Sequence, residues 1–306
     1  MRTDIFIKVL SETRDPDLME ADLENAFVLL RNFEARFSRF REDSELSLLN
    51  ASIGPYQVSD DLWDILQYCR IFFDETGGIF DPTVLPALER EGYAASYGTD
   101  AFGRSAQVGI EPKAFSFADV VLHAEMKTVT KPVGCRIDLG GIGKGYVVDR
   151  VALQLGTVYS DFIVDAGGDM RIAGQDRLAG RPYFAIDIED AVRKSGSAGT
   201  LLLSDRAVAT SGVNRRKWMI DGAEKSHLID TQSGGSVEGE IMTATVVADT
   251  AGRADVMAKT LCLLGRDRWR LFAEERKIPA FIILKDGTIE TNQFIQPYLW
   301  GGNIFS

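Results

Sequence analysis

The nonapeptide Ile137-Asp138-Leu139-Gly140-Gly141-Ile142-Gly143-Lys144-Gly145 packs four glycines into six consecutive positions beside one lysine. Tyr146-Val147-Val148-Asp149-Arg150-Val151-Ala152-Leu153 follows and reads as a helix. Glycines remove side chains and permit positive φ, so backbone N–H groups can close on a ligand. At a helix start, the free N–H groups and the helix dipole favour an anion. Lys144 adds a mobile positive charge, and the expected guest is a phosphate or pyrophosphate. The segment is neither GxGxxG with its ribose-binding acid about 20 residues on nor GxxxxGK[ST], because Tyr146 follows Gly145. A plain glycine-rich turn is the competing reading.

Acidic residues recur where the chain turns. Asp81 follows Gly77-Gly78-Ile79-Phe80, Asp138 opens the glycine loop, Asp169 ends a Gly-Gly turn, and Asp255 starts a helix after the strand Thr243–Val247. Each alone suits a cap or turn. Together, beside glycine turns, they suit a divalent cation with a phosphate, since hard cations take oxygen ligands. His123 ends a strand-like run and is read as structural. His227 precedes Asp230 by three residues on an expected strand, and its near-neutral pKa suits a general acid or base. No G-x-S-x-G elbow supports a serine triad. Ala209-Thr210-Ser211-Gly212 is either a ligand loop or a turn.

The elements that must position these residues show in the periodicity. Residues 4–10 read as a strand. Asp15-Pro16 opens a helix whose apolar face carries Met19, Leu23, Ala26, Phe27, Leu30, Phe33, Phe37 and Phe40. Ser59 caps a second helix through Leu62, Ile65, Leu66, Cys69 and Phe73, ended near Gly77-Gly78. Residues 88–118 read as loops with short pieces of structure. Asp119–Leu122 and Thr128–Thr130 read as strands before the glycine loop. Further strands are expected at 162–165, Tyr183–Ile188, Thr200–Leu203, Ala207–Thr210, Met242–Val247 and Ala280–Leu284. Helices are expected at Ala254–Leu264, ending at Gly265, and near 267–275. Strands in runs with helices between them indicate an α+β fold rather than strict βαβ alternation.

The 306 residues suffice for one large domain or two intimate ones, and 45% hydrophobic content supports a sizeable core. A net charge of −11 argues against a general nucleic-acid or anionic-membrane surface. Cys69, Cys135 and Cys262 are odd in number, far apart and set in apolar stretches, so buried reduced thiols are expected. No run of 18 apolar residues suits a membrane span. Arg2–Val9 alternates like a strand instead of forming a signal peptide, so a cytoplasmic location is expected, with a truncated export signal left open.

The chain resembles the ApbE family of flavin transferases (FAD:protein FMN transferases). The matching segments run in family order: Phe37-Ser38-Arg39-Phe40 with Asp43–Ser47 and Asn50; Gly77–Val84; Ile137–Asp149; Asp165–Asp169; Ala209–Gly212; His227–Asp230; and Ala254–Ala258. The resemblance implies a mixed α/β, mainly antiparallel fold over 1–306, as one domain or as two intimate subdomains with the FAD site between them. It implies an enzyme that cleaves FAD with Mg²⁺. FMN is then attached through a phosphoester to a Thr or Ser of an acceptor flavoprotein. It places Asp138, Lys144 and Ile79-Phe80-Asp81 at FAD and Asn50 near the flavin ring. The Gly141 carbonyl and the Asp255 carboxylate would lie at the metal, and His227 would transfer a proton. A homodimer is compatible with it.

Two departures bear on the metal. The family usually has Asp-x-x-x-Thr in the late helix, whereas the residue four after Asp255 is Lys259, with Thr260 beside it. His227-Leu228-Ile229-Asp230-Thr231-Gln232-Ser233-Gly234 lacks the family's usual Pro. An ammonium has no lone pair for a metal, so Lys259 is expected to pair with Asp255 or approach the pyrophosphate. The alternative is a Lys259 in solvent, with Thr260 restoring the ligand. Rival functions are an FAD-binding protein without transfer and an FAD pyrophosphatase releasing FMN and AMP.

Overall fold

The structure is a computed structural model; it describes residues 3–96, 99, 102, 115–193, 196–213, 217–220, 223–231, 234–237 and 239–301. Much of the loop expected within 88–118 lies outside the described residues. The chain divides into two compact units. One holds 1–2, 32–141 and 215–238; the other holds 3–31, 142–214 and 239–306.

The second unit is built on an antiparallel sheet of seven strands. In spatial order these are β1 (Ile5–Leu10), β5 (Asp161–Ala166), β6 (Met170–Ala173), β9 (Ala207–Gly212), β12 (Ile241–Ala248), β13 (Ala280–Leu284) and β14 (Ile289–Thr291). All six neighbouring pairs run antiparallel. Two helices lie on this sheet: α5 (Gly143–Leu155) on β5 and β6, and α6 (Ala251–Glu275) on β9 and β12. The hairpin β7 (Phe184–Glu189) and β8 (Ser197–Leu203) adds Phe184, Leu201 and Leu203 to a buried cluster with Val208, Phe281 and Ile283 of the sheet. Every residue of β13 is buried. Since side chains alternate between faces, that strand is covered on both sides, which explains its unbroken apolar run.

The first unit carries α2 (Glu45–Ala51), α3 (Asp60–Glu75) and α4 (Leu85–Arg90). A three-stranded antiparallel sheet runs in the order β2 (Tyr56–Gln57), β4 (Thr128–Thr130), β3 (Val121–His123). A separate hairpin joins β10 (Lys217–Ile220) to β11 (Ala223–Ser226). Ser44 caps α2 and Ser59 caps α3, each accepting a first-turn N–H. Trp218 and Ile229 pack with Ala87, Leu88 and Tyr93. The boundary at 31/32 falls inside α1 (Pro16–Phe37).

The α+β reading holds, and four local expectations are corrected. The apolar face of α1 stops at Phe37, where the helix ends; Phe40 is 41% exposed. Asp119 belongs to a 3₁₀ turn closed by a Ser116–Asp119 capping box, so the strand begins at Val121. His227 follows β11 rather than lying within a strand. Asp255 does not start its helix, because α6 begins at Ala251 behind the Thr250 cap; the helix break expected at Gly265 is present, where the backbone leaves helical geometry (φ 71°, ψ −178°) between two helical stretches. The cysteines are free and buried, as expected. Among the described residues no helix is long and apolar enough to cross a membrane.

Candidate functional site

The residues singled out from the sequence fall on both units. Asn50, Ile79, Phe80, Asp81, Asp138, Gly141 and His227 belong to the first, and Lys144 and Asp255 to the second.

In the first unit, Leu46 and Leu49 are fully buried and seat α2, which carries Asn50. The Asn50 amide grips the backbone of Ile137 at both ends. Its Nδ2 donates to the Ile137 carbonyl at 2.8 Å, and its Oδ1 accepts the Ile137 N–H at 2.7 Å. The next residue, Asp138, donates its N–H to the Pro82 carbonyl at 2.8 Å, which ties the glycine loop to the Ile79–Pro82 segment. Asp138 Oδ1 meets Arg39 Nε at 2.9 Å, and Oδ2 accepts the Gly140 N–H at 3.0 Å. Arg39 is nearly enclosed, with 6% of its side chain exposed. Its guanidinium lies over the Tyr93 ring and donates to the Tyr93 carbonyl.

Asp81 caps the 3₁₀ turn Pro82–Val84. It accepts the Thr83 N–H and hydroxyl at 2.8 and 2.6 Å and the Phe117 N–H at 3.2 Å. Phe80 is buried with its ring against Gly141, where an added Cβ would come within 3.0 Å of it. Ile79 donates its N–H to the Thr76 carbonyl. Half-buried His227 heads a loop whose end is pinned twice: Thr231 Oγ1 donates to the Gly78 carbonyl at 3.1 Å and Arg90 donates to the Gly234 carbonyl at 2.6 Å. The first unit therefore gathers Asn50, Ile79, Phe80, Asp81, Asp138 and Gly141 around the Gly77–Pro82 turn and the start of the glycine loop, with the loop that follows His227 pinned to Gly78. His123, by contrast, is exposed and meets Thr130 of β4 at 3.2 Å, in keeping with a structural reading.

In the second unit, α5 starts at Gly143 with no side chain capping its free N–H groups. That leaves an electropositive helix end with Lys144 in its first turn, which suits an anion. None of Gly140, Gly141, Gly143 and Gly145 adopts a positive φ, contrary to the expectation that the loop uses that freedom. The need is for space. At Gly145 an added Cβ would lie 2.4 Å from the Ala251 carbonyl, so this glycine lets α5 and α6 touch backbone to backbone.

Asp149 is a second tie between α5 and α6. Its carboxylate accepts the N–H groups of Ala251 and Gly252, both at 2.8 Å. Burial pushes its pKa up to about 6, against the pull of those two amides. Asp169 follows a turn in which Gly167 and Gly168 hold φ of 68° and 95° and Asp165 accepts the Gly168 N–H at 2.7 Å. Lys144 pairs with Asp169 and lies 3.9 Å from Asp255 Oδ2. Lys259 pairs with Asp255 Oδ1. Both carboxylates are enclosed, with side-chain exposures of 2% and 1%.

A divalent cation at Asp255 can be tested against these neighbours. Asp255 Oδ2 is buried without a hydrogen-bond partner, which favours a cation. Two ammonium groups already flank that carboxylate, however, and ammonium has no lone pair to coordinate. Thr260 gives no substitute ligand, since its fully buried hydroxyl donates to the Val256 carbonyl at 2.8 Å. Among the described residues no three His, Cys, Asp or Glu side chains form a metal-binding group. The set fits a divalent ion poorly.

Sequence reasoning missed Arg39 and Asp149 as individual residues. The signal for Arg39 was present as an arginine between Phe37 and Phe40, in a segment otherwise read as apolar helix.

Comparison with known proteins agrees with this architecture. The profile of the ApbE family matches residues 1–282. A Vibrio cholerae protein named FAD:protein FMN transferase is 29% identical over 285 residues, covering 89% of this chain and 82% of its own. A Treponema pallidum protein of the same name is 28% identical, covering 90% and 80%. The crystal structure of the ApbE protein of Thermotoga maritima superposes with a TM-score of 0.87 at 26% identity, covering 97% and 96%. That of the flavin transferase ApbE from Vibrio cholerae gives 0.81 at 25%, covering 98% and 96%. With a profile match over most of its length and relatives aligned nearly end to end, the chain belongs to the ApbE family.

Proposed function

We propose that this chain is an FAD:protein FMN transferase, and that it links FMN to a Thr or Ser hydroxyl of an acceptor flavoprotein. The observation that carries the reading is the uncapped N-terminus of α5 with Lys144 in its first turn, an anion site of the kind a pyrophosphate needs. Membership of the ApbE family and the names of the relatives support it.

In the proposed reaction the acceptor hydroxyl attacks the FMN phosphorus. The new P–O bond forms as the bond to the AMP oxygen breaks, and AMP leaves with the electron pair. The hydroxyl proton goes to His227, whose loop is anchored on the Gly78 carbonyl and on Arg90. Lys144 and the α5 N–H groups hold negative phosphoryl oxygens. Asp81 and Asn50 act as positioning residues, since their polar atoms are engaged with Thr83, Phe117 and Ile137. Phe80 and Gly141 shape the loop through their mutual contact. A bound Mg²⁺, as the family resemblance implies, would neutralise phosphoryl charge. The surroundings of Asp255, flanked by two ammonium groups, fit such an ion poorly.

The deciding experiment incubates the protein with FAD, with and without an acceptor flavoprotein, and follows AMP and protein-bound flavin. AMP release that needs the acceptor and matches the flavin bound is the expected result. Free FMN and AMP without acceptor would mean a pyrophosphatase. FAD binding without products would mean a binding protein.

A further inference from the structure

Lys144, Asp169, Asp255 and Lys259 bring two positive and two negative side chains together within the second unit. Asp255 and Lys259 are four residues apart on α6, hence on one face of the helix. The Lys259 side chain is only 12% exposed, so its ammonium is held at Asp255 rather than waving in solvent. Thr260, one residue on, is turned about 100° away and its hydroxyl is committed to the helix backbone.

Mg²⁺ demands near-octahedral oxygen ligands at about 2.0–2.1 Å and dehydrates reluctantly. A carboxylate that already holds an ammonium on one oxygen and has a second ammonium 3.9 Å from the other is a poor start for that shell. Like charge also opposes a doubly charged newcomer.

We propose that Lys259 is a resident cation. Its ammonium occupies the place beside Asp255 that a divalent ion would take, so the chain carries its phosphate-neutralising charge covalently and needs no metal there. With Lys144 it forms a fixed pair of positive charges for the pyrophosphate, a role that rests on the flavin-transferase reading. The metal-free character of Asp255 does not rest on that reading.

The test uses EDTA-stripped full-length protein titrated with Mn²⁺ by electron paramagnetic resonance, with and without FAD. The wild type should show no stoichiometric site tighter than ~1 mM, whereas Lys259→Thr should gain a site at least about tenfold tighter. Wild-type FAD affinity, read by flavin fluorescence, should change by less than about twofold between EDTA and ~5 mM Mg²⁺. Should Lys259→Thr fail to fold by thermal melting, the wild type decides alone against Asp255→Asn. Equal, absent Mn²⁺ binding in both supports the proposal. A stoichiometric wild-type Mn²⁺ site abolished by Asp255→Asn overturns it. Absence of any FAD binding would overturn the flavin reading, while the Mn²⁺ titration without FAD still decides the role of Lys259.

Discussion

Two pairs of enclosed carboxylates, one pair in each unit, are answered in opposite ways. In the first, Asp81 and Asp138 are satisfied by groups of their own neighbourhood: backbone N–H groups, a threonine hydroxyl and Arg39. In the second, Asp169 and Asp255 face lysines, and one oxygen of Asp255 accepts no hydrogen bond. The difference separates construction from chemistry. Carboxylates answered by the backbone fix a loop and have little left to offer. Carboxylates answered by ammonium groups hold positive charge in place, which the proposed pyrophosphate site would use.

The sharpest way to break this comparison is to remove one cation from each unit. Arg39→Met leaves Asp138 enclosed without its ion-pair partner, and breaking a buried pair costs about 3–5 kcal/mol. We expect a large drop in denaturation midpoint, measured by circular dichroism, with flavin affinity following only as folded protein is lost. A near-normal midpoint with weakened FAD binding would move Arg39 to the ligand side.

His227 lies in the structural unit yet is assigned a chemical role. His227→Asn should lower the rate of AMP release at saturating FAD by ~10²–10⁴-fold and leave FAD affinity alone. An unchanged rate would return His227 to the scaffold and make the contrast between the units complete. For Lys144→Met, loss of a charge-assisted contact of about 1.5–3 kcal/mol predicts FAD binding weaker by roughly 10–150-fold, together with a lower melting temperature, because the enclosed Asp169 loses its partner. Riboflavin, which has no pyrophosphate, should bind both forms equally in the same fluorescence titration.

The smallest effect concerns pH. The Asp149 pKa is raised by burial from 3.8 to about 6, so the folded state binds a proton more readily than the unfolded chain. The contribution to stability is full below pH 3.8 and is lost as pH rises through about 6. Asp149→Asn should therefore flatten the fall in melting temperature across that window. Parallel profiles for wild type and variant would show that Asp149 does not titrate there.

Much of the fold was legible because its elements carry local signals. The Ser59 cap, the Asp15-Pro16 helix start and the unbroken apolar run at Ala280–Leu284 can be read without tertiary knowledge. The glycine loop was legible as the start of a helix but not in its mechanics. Gly145 is required by the Ala251 carbonyl, a residue more than a hundred positions away, and nothing local reports such a contact. Asp255 was misread as a helix start because the Thr250 cap lies behind Ala251-Gly252-Arg253, a stretch with weak apolar periodicity. Lys144, Asp81, Asp138, Asp255 and His227 stand out by residue type and position, whereas Asn50, Ile79, Phe80 and Gly141 were found through a resemblance carried by seven segments. What each does locally, such as the grip of Asn50 on Ile137, needed coordinates, because partners 87 residues apart leave no pattern in the chain.

The carboxylate of Asp149 clasps the first two amides of α6 from within α5. Mechanically, this makes Lys144 and Asp255 points on a single lever: a pull on the start of one helix reaches the other without passing through the sheet. The amides of Ala251 and Gly252 then act as a strain gauge for the charged cluster. Their hydrogen exchange should slow when an anion loads Lys144 and quicken when the clasp is cut, reporting occupancy from a position that touches no ligand.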